Sequence, residues 1–209
     1  MTTHDDEYGK KTSLFDDTAS SGATTSILSG TGESGVAEAK DTTTRWHGGL
    51  DFGLLILRLV LGGTMGAHGL QKVFGLFDGP GIAGFARALG GFGFTSQTTL
   101  LSWITGISEL AGGALVILGL FTPLGAAALL GVAANIVYAK FHGGFFAGQG
   151  TGFEYELLLG AVAFSLLFTG SGRIALDVNT PWRRKPLPFG LFGLLLAAGA
   201  SVLVIVLFR

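Results

Sequence analysis

From residue 52 onward the chain is a series of apolar runs of helix-spanning length, separated by short breaks rich in Gly, Pro and charge. A bilayer core about 30 Å thick takes about 20 apolar residues as an α-helix. No other feature of the sequence restricts the fold so tightly. Runs over about 52–74, 98–121, 124–141, 153–168 and 187–208 predict an all-α membrane protein, with five spans favoured over four. The break at Thr122-Pro123 is so short that the helices on either side must be antiparallel neighbours. The connectors near Gly75–Gly93 and His142–Gly152 are longer and glycine-rich, and residues 82–89 read as a short amphipathic turn at the membrane surface.

Residues 1–48 differ in kind. They are rich in Thr, Ser, Gly and carboxylates, and their composition predicts a polar tail without a core of its own. Residues 1–51 have no apolar segment of signal-peptide type, so the first span is expected to direct insertion. Basic residues set orientation. Arg173, Arg183, Arg184 and Lys185 follow the fourth run, and Lys40 and Arg45 precede the first, which predicts an inside tail and an outside Arg209. The formal net charge of -1 gives no footprint for nucleic acid. The absence of cysteine excludes disulfides, covalent c-type haem, Cys-ligated iron–sulfur clusters and thiol catalysis within this chain.

Ionisable groups at bilayer depth are costly and need a partner or a cavity. Arg58, Met65, His68 and Lys72 recur at steps that keep them on one side of the first helix. Glu109 lies near the middle of the second helix among Ser102, Gly106 and Gly113, with Arg58 or His68 as its expected partner. Asn135, Tyr138 and His142 form a stripe on the third helix, and Glu154 and Glu156 open the fourth. Together, His68, His142, Glu156 and the deeper Glu109 suggest a polar pocket in the outer half of the membrane. A buried network fixing the bundle is the plainest reading of such a set. Proton or quinone chemistry at His68 and Glu109 is the sharper one. Haem on His68 and His142 is weakly supported, and no metal-ligand spacing is present.

The order and spacing of several short motifs resemble the DoxX family of small bacterial membrane proteins. They are Leu57-Arg58-Leu59, His68-Gly69 with Lys72, Ser108-Glu109-Leu110 with Gly112-Gly113, and Leu118-Gly119-Leu120-Phe121-Thr122-Pro123. Glu156-Leu157-Leu158-Leu159 and Gly170-Ser171-Gly172 with Leu176-Asp177 complete the set. The resemblance implies a four-helix core over residues 52–178, with Arg58, His68, Lys72, Glu109, Glu156 and Asp177 at the matching positions. It also implies redox neighbours, such as thiosulfate–quinone oxidoreductases and oxidative-stress complexes, in the bacterial plasma membrane.

The chain adds the tail, a basic, proline-containing linker at 179–186, and a fifth span at 187–209. That span carries Gly193, Ala197 and Ser201 at four-residue intervals, a stripe suited to helix docking on another membrane protein. Two added segments and the lack of a complete cofactor motif predict a non-catalytic accessory subunit of a respiratory or redox complex, in contact with lipid and membrane partners. The alternative is a subunit that handles quinone through His68 and Glu109, with Arg58 holding Glu109 ionised. Five short spans without an internal repeat give little support to a transporter.

Overall fold

The structure, a computed structural model, describes residues 48–149 and 152–209. The tail expected over 1–48 lies outside the described residues except at Gly48, which is helical. All regular elements among the described residues are helical. The α-helices are α1 (Gly48–Phe74), α2 (Gly81–Gly91), α3 (Thr98–Leu118), α4 (Thr122–Lys140), α5 (Glu154–Thr169), the single turn α6 (Pro181–Arg184) and α7 (Pro186–Phe208), with two short 3-10 turns between α4 and α5.

Helices α1, α3, α4 and α7 are each long and apolar enough to cross a membrane. Helix α5 has 16 residues, about 24 Å at 1.5 Å per residue. It still runs from one end of the bundle to the other. Near its start Glu156 meets Lys140 at the end of α4, and beyond its end Arg173 N–H donates to Asp51 in the first turn of α1. The C-terminus lies at the opposite end from Asp51, where Thr95 and Ser96 N–H donate to the Phe208 carbonyl. Five helices therefore pass between the two ends. Large side chains such as Val60, Leu195 and Val206 point outward, and a surface this apolar belongs in lipid. The chain is a multi-pass membrane protein.

Glycine sets the α1–α3 contact. A Cβ on Gly113 would sit 2.7 Å from the Gly62 carbonyl oxygen, and one on Gly69 would sit 2.7 Å from Leu110 N. Small residues let the two backbones touch, and that closeness locks an antiparallel register. Gly113→Leu should lower the thermal unfolding midpoint in detergent. The expected loss is about 1–3 kcal/mol, typical of overpacking; an unchanged midpoint would contradict this contact.

The end of α3 is fully capped. Gly119 takes a left-handed φ of 62°. Its N–H donates to Val116 O, and Leu120 N–H donates to Leu115 O, the paired bonds of a Schellman ending. Leu176 N–H then takes the Leu118 carbonyl and Asp177 N–H takes that of Gly119. The backbone of the stretch after α5 thus closes off a neighbouring helix. The turn into α4 follows at once, as the short break requires.

The stripe on α7 corrects its expected use. Gly193, Ala197 and Ser201 are buried. Ser201 Oγ donates to the Gly131 carbonyl at 3.1 Å, and a Cβ on Gly193 would meet Leu167 Cδ1 at 2.7 Å. These residues dock α7 on α4 and α5 of its own chain, not on a partner. The docking chemistry is as read from the sequence, but the surface it meets is internal.

Candidate functional site

Helix α4 carries both α3 and α7 on its flanks, and those two hardly touch each other. The gap between them opens a cavity of about 630 Å³, within the usual range for a small-molecule site. Ile104, Leu124 and Leu196 line its mouth and are also exposed. Its walls are apolar, with Met65, Leu101, Val132 and Leu159 deep inside. Helix α2 and the turn after it close one end with Phe85, Leu89, Phe92 and Phe94. The expected surface turn is thus an 11-residue helix that covers the bundle.

The polar groups gather at that covered end. Lys72 pairs with Glu109, whose side chain is 1% exposed. Lys72 also lies 4.5 Å from the centre of the Phe85 ring. Lys140 pairs with Glu156 at 2.5 Å. His68 Nδ1 is 3.1 Å from Gln71 Oε1, and Asn135 faces the cavity from α4. Two lysines and two glutamates balance in charge, so the cavity suits a neutral guest. The carboxylate oxygens left over, Glu109 Oε2 and Glu156 Oε2, are buried without a hydrogen-bond partner, as is Asn135 Oδ1.

The partner expected for Glu109 was wrong. Neither Arg58 nor His68 holds it; Lys72 does. The α1–α3 register places Lys72 beside Glu109, whereas Arg58 is 14 residues further back on α1, about 21 Å along the axis. Arg58 belongs to the other end of the bundle. It donates from Nε to Val116 O at 2.8 Å and from Nη2 to Ile117 O at 2.6 Å. From Nη1 it reaches Ser171 O at 2.9 Å and Ile174 O at 2.5 Å. Asp177 is buried in the same region, acts coulombically on Arg58, and accepts from Trp182 Nε1 at 2.6 Å. These two residues fix structure and lie outside the cavity.

Tyr138 and His142 are exposed and do not line the cavity. Tyr138 is covered by Arg209, 4.8 Å from its ring centre. Of the third-helix stripe only Asn135 turns inward, because the helix stops at Lys140 and His142 falls in the turn beyond. His68 and His142 therefore do not face each other across the site. Lys140 is the charged cavity residue that sequence reasoning missed. Its signal was available: a cation ends one apolar helix, and Glu156 opens the next.

Residues 53–143 match the model of the DoxX family. Over this stretch, a little under half of its length, the chain is similar to the DoxX family. The matched stretch runs from α1 through the turn after α4 and holds His68, Lys72, Glu109, Asn135 and Lys140. Glu156, Asp177 and α7 lie beyond the match. No curated protein and no solved structure matches the chain.

Proposed function

We propose that this DoxX-like bundle binds a quinone-class ring in its cavity, as a subunit of a bacterial redox assembly. The ring lies at the covered end, beside His68 and the two ion pairs, and its tail leaves between α3 and α7 into lipid. One observation carries the reading: a charge-balanced cluster of polar groups sits at the end of an apolar trough whose lining includes the outward-facing Ile104, Leu124 and Leu196. Lipid-soluble rings arrive by that route. Lys72 takes the place first given to Arg58 as the partner of Glu109. In this reading His68 and Glu109 exchange protons with the bound ring.

The test is equilibrium binding of a decyl-tailed benzoquinone couple to the purified protein in nanodiscs. One saturable site is expected for at least one redox form. His68→Leu should weaken it by about tenfold, the worth of one lost polar contact, while thermal stability stays near wild type. Absence of saturable binding in both forms would refute the reading.

The accessory role has one specific support. Helix α7 has the highest mean hydropathy of the four long helices, 2.7, and only 22% of its most apolar stretch is buried. Its outward face is free for lipid or for a neighbouring subunit. Removing residues 187–209 would strip α4 of its cover, so deletion is a poor probe. Leu195→Arg with Val206→Arg alters only outward positions. Loss of co-migration with larger complexes on native gels is expected if a partner docks there, and unchanged migration would remove this role. The basic cluster at 173–185 supports a cytoplasmic location for the Arg58 end and an outer location for the cavity's covered end.

A further inference from the structure

Four buried side-chain polar atoms among the described residues have no hydrogen-bond partner, and three of them belong to cavity residues. Glu109 Oε2, Asn135 Oδ1 and Glu156 Oε2 come from three different helices, α3, α4 and α5. All three are acceptors. Lys72 is bonded to Glu109 Oε1 and Lys140 to Glu156 Oε1, so in each carboxylate the ammonium is held at the other oxygen. Buried acceptors without donors are costly and are ordinarily met by a partner. The charges of the two pairs cancel, so neither a cation nor an anion is called for.

From this we infer that the cavity selects the reduced, hydroquinone form of its ring ligand over the oxidised quinone. The inference rests on the function proposed above and narrows it to one redox form. A quinone carries only carbonyl acceptors, which would face the unpartnered oxygens acceptor to acceptor. A hydroquinone carries two O–H donors. One can reach the Glu109 side and the other the Asn135 and Glu156 side, and both bonds to carboxylate are charge-assisted. The site is thereby assigned to binding a dihydroxy ring, with no electron transfer implied.

The test compares a decyl-tailed benzohydroquinone with its benzoquinone under anaerobic conditions, by titration into the full-length protein in phosphatidylcholine nanodiscs. The hydroquinone should bind roughly tenfold or more tighter, as expected for gained bonds to ionised acceptors. Asn135→Leu and, separately, Glu156→Gln should each narrow that ratio, and the former removes no charge. Equal affinities, or tighter binding of the quinone, would overturn the inference and leave the proposed function standing. Binding of neither form would overturn both. A lipid diol headgroup offers the same donors, so the titration is repeated with phosphatidylglycerol in the nanodisc. Loss of hydroquinone binding there would assign the acceptors to lipid hydroxyls and overturn the inference; unchanged binding supports it.

Discussion

Arg58→Ala is expected to yield no monodisperse, folded protein. The guanidinium donates to four backbone carbonyls, of Val116, Ile117, Ser171 and Ile174. Val116 retains a bond from Gly119 N–H, but the other three lose the donor the side chain supplied. At about 1 kcal/mol each, the low end for such a loss, the deficit is roughly 3 kcal/mol, and the upper end triples it. Total stability of a domain is only about 5–15 kcal/mol. The damage also falls where α1, the end of α3 and the segment after α5 are tied together. Arg58→Lys should rescue little, because a single ammonium cannot span carbonyls arranged around a planar fork. Fluorescence-detected size exclusion in mild detergent reads the result. A symmetric peak with wild-type thermal stability for Arg58→Ala would show that these four bonds do not hold the bundle.

The second large effect concerns Lys72 and Glu109, and it should be unequal between the partners. Lys72→Met leaves Glu109 almost fully buried and without its cation. Breaking one side of a buried pair costs about 3–5 kcal/mol. Glu109→Gln should cost less. The Lys72 side chain is 13% exposed and lies over the Phe85 ring, so its ammonium keeps an attractive neighbour. The double substitution Lys72→Met with Glu109→Gln should regain part of the loss, since no charge is then stranded. Thermal unfolding of all four proteins gives the coupling directly. Additive losses would mean that the two side chains do not act as a pair.

The reasons why parts of this molecule could be read from its sequence are specific. Apolar runs reported their helices because lipid demands the same pattern everywhere along a span. The end of α3 was placed three residues late, since Gly119 starts the ending while Leu120 and Phe121 keep the apolar character going. Arg58 and Glu109 stood out as buried because charge is rare at that depth. Their partners did not. Helical periodicity places residues around an axis but says nothing of the height at which a neighbour presents its own. The α1–α3 register is decided by glycine contacts such as Gly62 with Gly113, and it moved Glu109 from Arg58 to Lys72. Arg58 answers to carbonyls, which leave no trace in side-chain patterns. The α7 stripe announced a docking face, and nothing in its spacing could say that α4 and α5 would occupy it.

Helix α5 has a consequence for the membrane itself. At about 24 Å it falls about 6 Å short of a typical hydrocarbon core. Helix α1, with 27 residues, runs to about 40 Å. One flank of the bundle is thus too short for the bilayer and another more than long enough. Outward residues such as Leu158 and Phe164 keep the short flank in contact with lipid. Acyl chains there must compress, while those beside α1 need not. Each ångström of compression costs a fraction of a kcal/mol. The protein therefore sits in a dimple on one side only, and thinner bilayers relieve the mismatch on that side first.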